Sequence, residues 1–342
     1  MTPIEIDGSY GEGGGQMVRT ACCFAAITQK PCRIYNIRQA RRVPGLRPQH
    51  LACVRALAQL CDARLKGDSV DSRELIFAPQ RMAARDLTVR LETAGSIILI
   101  LQALLPALFA ARRPVTIEFD GGGTDTARAP TLDYVREVFL WFLRQMGTDV
   151  KIDLFRRGYY PRGGAAMRAK AVTAARPGRL ELSDRGPLKQ VTLFSQAAKV
   201  LKPRRVAERQ IDGALGVLDA LKVPVRSCVE YGPSLSAGSS ICIAAEFANT
   251  IVGFDGLGAR GKRAEEVGKE AAEGFVQQFR SSACLDCHMA DQILPYLPLA
   301  GDRCSVSVAE ITSHCRTNMW VIEKFLDGHF ETDGNVITWL AS

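Results

Sequence analysis

Strand and helix patterns alternate along the first half of the chain, and the alternation recurs about three times. Each unit joins short strand-like segments to longer helical stretches through loops rich in glycine or proline. Because strands and helices must each bury an apolar face, this repetition predicts several small units in which helices pack on a sheet, an α/β (α+β) fold class. The predicted strands are 4–7, 32–38, 73–79, 86–92, 115–123, which runs into a glycine loop, and 149–164, which runs into a turn. The predicted helices are 14–29, 48–63, 95–111 and 131–146.

The pattern changes near residue 182. Residues 182–280 read β-α-β-β-α, with helices predicted at 203–221 and 262–280. We expect this block to form a small inserted α/β domain, with residues 1–181 and 281–342 making up the larger domain. The tail is predicted to contain a strand at 303–309, a helix at 315–326 and a hairpin around Asp333-Gly334.

Composition points to a cytoplasmic protein that binds polyanions. The formal net charge is +8, and excess cation favours nucleic acid or nucleotide phosphates as partners. Eleven cysteines are scattered among apolar residues, as expected for reduced core thiols, and the N-terminal segment lacks the pattern of a signal peptide. The apolar run 95–111 contains Gln102 and Pro106 and is shorter than the roughly 20 residues of a membrane span, so it predicts a buried helix.

Two short motifs match patterns of cofactor-binding proteins, but the surrounding sequence argues against a cofactor in both cases. Residues 284–288, CLDCH, match the C-x-x-C-H haem attachment pattern, but that pattern is generic and the chain shows no export signal. Residues 256–261, GLGARG, match G-x-G-x-x-G, but the helix that follows does not lead to a strand ending in an acidic residue. We therefore expect neither haem nor NAD.

The glycine-rich segment 7–20, DGSYGEGGGQMVRT, lies between a predicted strand and a predicted helix. Its amides can approach an anion, although it lacks the G-K-[S/T] ending of a Walker A loop. Glu12 is unusual there, because a carboxylate repels phosphate unless a metal bridges the two. The alternative is a tight structural turn, and the local sequence does not decide between them.

An arginine-rich loop follows at 37–50, with Arg38, Arg41, Arg42 and Arg47 around two prolines. A rigid loop of this kind suits a terminal phosphate, and the alternative is a solvated basic loop. Its proximity to the glycine-rich turn favours the phosphate.

His314 is one of four histidines and stands where a predicted strand gives way to a helix. A helix N-terminus disfavours imidazolium, so His314 could remain neutral and nucleophilic near neutral pH. The alternative is a histidine that only caps the helix, and the local pattern alone favours that alternative.

Taken together and in order, seven segments resemble the RNA 3′-terminal phosphate cyclase family, in its catalytic branch that keeps the active-site histidine. They span essentially the whole chain: DGSYGEGGGQMVRT, RVPGLRPQHL, TAGSIILILQALLPAL, GGGTD, RRGYYPRGG, HMADQ and SHCRTNMWVIEKFL. The resemblance implies an enzyme that uses ATP and Mg²⁺ or Mn²⁺ to convert an RNA 3′-phosphate to a 2′,3′-cyclic phosphate, releasing AMP and diphosphate. It also implies three repeated sheet-plus-two-helix units, each like the C-terminal domain of translation initiation factor 3, and a small inserted domain.

The resemblance also assigns residues. His314 takes the place of the nucleophile that forms a covalent AMP-histidine, and Glu12 that of the residue that engages the metal. The partners implied are ATP and RNA 3′-phosphate ends, with no membrane and with a homodimer allowed. The nucleotide pocket is matched by Gln102, Pro130, His288, Met289, Ala290, Asp291 and Gln292, and the RNA 3′-phosphate site by Arg19, Arg38, Arg41 and Gln49.

The sequence departs from the family pattern at Gln39-Ala40, where Ala-Gly is usual, and at Ala165, where a third glycine is expected. Cys284 and Cys287 have no function that the resemblance explains. Two other classes remain as alternatives. A non-catalytic cyclase-like protein of ribosome assembly would lack the histidine at 314, and an enolpyruvyl transferase would share the repeated architecture without this histidine motif.

Overall fold

The computed structural model describes residues 2–174 and 178–342, and within them the chain has sixteen strands and ten α-helices. The strands are β1 (Ile4–Asp7), β2 (Cys32–Tyr35), β3 (Arg64–Lys66), β4 (Leu75–Ala78), β5 (Leu87–Ser96), β6 (Val115–Gly123), β7 (Thr148–Arg156), β8 (Ala166–Thr173), β9 (Glu181–Leu182), β10 (Leu188–Ala198), β11 (Val225–Gly232), β12 (Ser239–Phe247), β13 (Ile251–Leu257), β14 (Arg303–Ser307), β15 (Gly328–Asp333) and β16 (Val336–Ala341). The helices are α1 (Gly15–Thr28), α2 (Pro48–Leu60), α3 (Ile97–Ala111), α4 (Leu132–Tyr134), α5 (Leu140–Gln145), α6 (Val206–Leu218), α7 (Ala264–Arg280), α8 (Cys287–Ile293), α9 (Leu297–Ala300) and α10 (Ser313–Glu323).

The strands form four sheets of four strands each, and three of the sheets share one connectivity. Their orders are β1-β2-β4-β3, β5-β6-β8-β7 and β9-β14-β16-β15. If the four strands of each sheet are counted in chain order, the first and second are parallel. The fourth pairs antiparallel with both the second and the third. The fourth sheet has the different order β11-β10-β12-β13. The mixed α/β class predicted from the alternating pattern is confirmed.

Two apolar clusters organise the described residues. The larger cluster joins the three sheets of shared connectivity, and α3 lies inside it with most of its side chains fully buried. No helix of the described residues is long and apolar enough to cross a membrane. The smaller cluster lies between the fourth sheet and the helices α6 and α7. These two helices approach so closely that a Cβ on Gly268 would lie 1.8 Å from the Gln210 carbonyl oxygen.

The segment 149–164 is a strand that runs into a turn, as predicted. It leaves its sheet after Arg156, and residues 157–164 form a turn against the loop that follows β11. Other boundaries differ from those predicted. The helix predicted at 315–326 begins earlier, at Ser313, because the Thr312 hydroxyl accepts a hydrogen bond from the Cys315 amide and caps the first turn. This places His314 inside that turn.

A buried ionic joint lies where the connections after β6 and β7 meet the fourth sheet. Arg157, 2% exposed, binds Asp125 at 3.1 Å and Asp133 at 2.8 Å. The Ser240 hydroxyl of β12 donates to Asp125 at 3.2 Å. Because a buried charge is tolerated only when it is paired, the ion pairs fix the two connections to each other, and the Ser240 hydrogen bond attaches them to the fourth sheet.

Candidate active site

A cavity of about 730 Å³ opens where α1, α3, α8, the start of α10, the loop before α4 and the end of β13 meet. Its apolar base includes Phe24, Leu99 and Pro106. The polar side chains around it include Gln16, Arg19, Gln102, Asp255, His288, Asp291, Gln292, Glu310 and His314. Seven of the residues assigned by resemblance therefore lie together: Arg19, Gln102, Pro130, His288, Asp291, Gln292 and His314.

His314 projects from the first turn of α10 and keeps 45% of its side chain exposed. Its Nδ1 lies 2.7 Å from Gln16 Oε1, and its Nε2 lies 2.8 Å from Glu12 Oε2. Gln16 donates through Nε2 to Asp291 Oδ2 at 2.9 Å, which turns its carbonyl oxygen towards the imidazole. This chain of hydrogen bonds places a hydrogen on Nδ1, and Nε2 can bind the Glu12 carboxylate at 2.8 Å only by donating a second hydrogen to it.

Glu12 is held from three sides. Its Oε1 accepts from the Ser313 hydroxyl at 2.8 Å, and its Oε2 accepts from Arg41 Nη2 at 3.1 Å as well as facing His314. The described residues contain no group of three or more His, Cys, Asp or Glu side chains that could hold a metal ion. Glu12 is therefore a candidate ligand outside any such group, and Mg²⁺ commonly binds proteins through one or two carboxylates with substrate phosphates as further ligands.

Asp291 lies behind the histidine, on α8. Burial raises the pKa of this carboxyl to about 6, and His314, His288 and Arg19 oppose the rise. Asn318 anchors the same turn by donating to the Asp291 carbonyl oxygen at 2.9 Å. A carboxyl with a pKa near neutrality beside a candidate nucleophile is a common mark of a functional site.

The N-terminus of α8 is organised by Asp286, which is fully buried. Its carboxylate accepts from the amides of His288 at 3.0 Å and Met289 at 2.8 Å, and from the Tyr134 hydroxyl at 2.7 Å. This cap aims His288, Asp291 and Gln292 at the cavity. Met289 and Ala290 are fully buried on the opposite face and do not line the cavity, so the contact expected of them is not made.

The two cysteines of the haem-like motif have packing roles. Cys284 is fully buried, and its carbonyl oxygen accepts from the Thr250 hydroxyl at 2.7 Å. Cys287 borders the cavity, where burial raises the pKa of its thiol to about 12 and keeps it protonated at neutral pH. The glycine motif 256–261 follows β13, which is antiparallel to β12, unlike the parallel strands of a βαβ dinucleotide-binding unit.

The residues assigned to a phosphate site divide into two groups. Arg19 lines the cavity, and its guanidinium has no hydrogen bond or ion pair with any described residue. Arg38, Arg41 and Gln49 lie outside the cavity lining. Arg38 donates to the carbonyl oxygens of Val43 at 2.7 Å and Gly45 at 3.0 Å. Gln49 Oε1 accepts from the amide of Ser96, the N-cap of α3, at 2.9 Å, and Arg41 reaches the cavity only through Glu12.

Several polar residues of the cavity were missed by sequence reasoning, Gln16, Asp255 and Glu310 among them. Gln16 directly follows the glycine run, and a polar residue at the start of a helix that faces an anion site is a candidate for binding. Asp255 comes from β13, far along the chain from the other cavity residues. No local pattern assigned it a role.

The chain matches the family model described as RNA 3′-terminal phosphate cyclase over residues 10–332. A protein of that name from Pyrococcus abyssi is 43% identical, with 97% of this chain and 96% of the relative covered. Proteins of the same name from Thermococcus kodakarensis and Saccharolobus islandicus are 42% and 41% identical, each over 97% of this chain and over 95% and 96% of the relative. The structure of the enolpyruvyl transferase NikO from Streptomyces tendae aligns at 10% identity with a TM-score of 0.23, too weak to bear on the fold. With a family match over most of its length and near full-length relatives, the chain belongs to the RNA 3′-terminal phosphate cyclase family of enzymes.

Proposed function

We propose that this protein uses ATP to convert an RNA 3′-phosphate into a 2′,3′-cyclic phosphate through a covalent AMP on His314. The observation that carries the proposal is the placement of His314, in a cavity of nucleotide size, with Nδ1 held by Gln16 and Nε2 directed outward. An imidazole whose Nδ1–H is fixed in this way presents the Nε2 lone pair as a nucleophile once Nε2 has given up its hydrogen, for which the Glu12 carboxylate is the adjacent base.

The reaction has three transfers at phosphorus. His314 Nε2 forms a bond to the α-phosphorus of ATP, and the bond to the departing diphosphate breaks. An oxygen of the RNA 3′-phosphate then attacks the same phosphorus and displaces the imidazole, leaving AMP on the RNA end. Finally the neighbouring 2′-hydroxyl attacks the activated RNA phosphate, closes the ring and expels AMP. In each step the leaving group is stabilised before it departs.

The residues around His314 then have distinct roles. Asp291 orients Gln16, and Gln16 orients the imidazole. Arg19 carries an unpaired positive charge into the cavity and suits the phosphates. Arg41 holds Glu12 in place, and we assign Arg38, Arg41, Gln49 and Arg19 together to the RNA 3′-phosphate.

A divalent cation fits this arrangement only as a metal shared with the nucleotide. Glu12 is the carboxylate that would hold it, with phosphate oxygens and water completing the shell. Bound there, Mg²⁺ or Mn²⁺ would neutralise negative charge on the triphosphate. Gln102, Pro130, His288 and Gln292 would line the nucleoside part of the same pocket.

The proposal extends to the organisation of the chain. Residues 1–181 with 281–342 would form the catalytic domain, as three units like the C-terminal domain of translation initiation factor 3, and residues 182–280 the insert. The shared connectivity of three sheets and the separate apolar cluster of the fourth support this division. Residues 1 and 175–177 of the larger domain lie outside the described residues. The cytoplasmic location and the homodimer stay predictions.

The test is incubation with ATP labelled on the α-phosphate, with Mg²⁺ or Mn²⁺, followed by isolation of the protein. We expect a label that is stable in alkali and lost in acid, as for a phosphorus–nitrogen bond, and absent from His314→Ala. His329→Ala is the matched control, because His329 is an exposed histidine on β15 whose imidazole contacts Glu331 at 3.3 Å. A folded wild-type protein that takes no label, or a His314→Ala variant that still does, would contradict the covalent step.

A second measurement distinguishes the enzyme from the alternative, a non-catalytic RNA-binding protein. An RNA oligonucleotide with a 3′-phosphate should become resistant to phosphatase as its terminus cyclises, and this should require ATP. Binding of that RNA without any change at its end would favour the non-catalytic alternative.

A further inference from the structure

Two carboxylates that line the cavity, Asp255 and Glu310, have no role in the reaction described above, and hydrogen bonds locate Asp255. Asp255 lies near the end of β13, in the fourth sheet, and lines the cavity. The glycine motif that begins at Gly256 follows it directly, and Gly256 and Leu257 also line the cavity. The fourth sheet therefore supplies part of the cavity wall.

Asp255 is held on one side and open on the other. Its Oδ2 accepts from the Thr131 amide at 2.6 Å, and the Thr131 hydroxyl also lies within hydrogen-bonding range of the carboxylate. Thr131 is the only described residue that gives Asp255 a hydrogen bond. A carboxylate has about four acceptor positions, so about two remain for a donor that enters the cavity. A buried carboxylate left in this state is costly unless a ligand supplies that donor.

The neighbours of Asp255 indicate which part of a nucleotide meets it. The groups that we assign to the phosphates, His314 with Glu12 and the unpaired Arg19, come from α1, the turn before it and α10, and none of them has a hydrogen bond to Asp255. Asp255 instead neighbours His288 of α8, and its hydrogen bonds come from the loop before α4. A carboxylate repels phosphate, so this part of the cavity suits the nucleoside.

Two flat surfaces flank Asp255. Thr131, its partner, directly follows Pro130, and both Pro130 and the His288 ring line the cavity. The His288 ring also packs against Phe254, with ring centroids 5.4 Å apart. A purine placed between a proline and an imidazole would present its edge, rather than its face, to a carboxylate located between those two segments.

We propose that Asp255 is a specificity-determining residue that accepts a hydrogen bond from the exocyclic amino group of the adenine base. This inference rests on the proposed function and adds to it the residue that reads the base. Thr131 positions the carboxylate, and the fourth sheet thereby takes part in nucleotide selection.

The test compares ATP with purine riboside triphosphate, which has hydrogen in place of the 6-amino group. We measure equilibrium binding of both to the wild type and to Asp255→Ala by calorimetry. A hydrogen bond to a charged group predicts that the wild type binds ATP about 10-fold to 100-fold more tightly. In Asp255→Ala the two nucleotides should bind within about twofold of each other. If the alanine variant does not fold, Asp255→Asn, which keeps the shape of the side chain, takes its place. The preference of this variant for ATP over purine riboside triphosphate should also fall.

An undiminished preference in both variants would overturn the inference, as would a wild type without any preference. A third comparison uses 2′-deoxy-ATP. If Asp255→Ala abolishes the preference for ATP over 2′-deoxy-ATP instead, Asp255 binds the ribose and the assignment to the base is wrong. Because binding is measured without turnover, a wild type that discriminates but forms no labelled histidine would contradict the proposed function and leave this inference supported.

Discussion

The raised pKa of Asp291 makes the stability of the protein depend on pH. The carboxyl keeps its proton up to about pH 6 in the folded protein, against 3.8 as its ordinary value. Between these values the folded state binds more protons than the unfolded state, so stability falls as pH rises through this window and levels off above it. At 1.36 kcal/mol per pKa unit the loss totals about 3 kcal/mol, of which about 2 kcal/mol falls between pH 4.5 and 7.5.

Asp291→Asn removes this loss and keeps an acceptor for the Gln16 amide. The free energy of unfolding of the variant, minus that of the wild type, should rise by about 2 kcal/mol between pH 4.5 and 7.5. Urea unfolding followed by far-UV circular dichroism, at four or five pH values for both proteins, measures this difference. Taking a difference removes the contribution of the other titrating groups. A difference that stays constant to about 0.5 kcal/mol over this range would refute the reasoning, since the carboxyl would then titrate alike in both states.

Three further substitutions and one control, Gly216→Ala, test the packing that supports the site, each by urea unfolding. Asp286→Ala should destabilise the protein by about 3 kcal/mol or more, because it removes a helix cap and leaves buried donors unpaired; a loss under about 1 kcal/mol would contradict that role. Gly15→Ala places a Cβ 2.1 Å from His50 Nε2 and should cost about 1–3 kcal/mol, whereas Gly216→Ala, with open space around it in α6, should be neutral or stabilising by up to about 1 kcal/mol. Equal effects of the two glycine changes would show that the imidazole moves aside. Arg157→Met should cost about 3–5 kcal/mol, since it leaves two buried carboxylates without their cation, and an unchanged midpoint would disprove the joint.

Sequence patterns predicted the longer elements because periodicity is strongest there. The helix predicted at 95–111 is observed at Ile97–Ala111, and the helix predicted at 14–29 at Gly15–Thr28. Strands of two or three residues, such as β3 and β9, contain too few residues to show any period. The helix α10 begins two residues before its predicted start, because Thr312 caps a first turn that the apolar pattern does not show.

The site was only partly predictable. Glu12 and His314 are about 300 residues apart, and no local pattern reports a contact across that distance; only the family resemblance joined them. The block 288–292 was assigned as a unit, yet a helical period of 3.6 residues already separates Met289 and Ala290 from the face that carries His288 and Asp291. Asp255 could be recognised only from the structure, because its partner Thr131 lies in the loop between β6 and α4, which belongs to a different sheet.

The ionic joint at Arg157 also bears on the wall of the cavity. Arg157, Asp125 and Asp133 all precede the fourth sheet in the chain, so a displacement of that sheet would leave their ion pairs closed. It would instead break the hydrogen bond from Ser240 to Asp125 and the hydrogen bond from the Thr131 amide to Asp255, which cross the same boundary. The position of Asp255 in the cavity wall therefore depends on the boundary at which the buried ions lie.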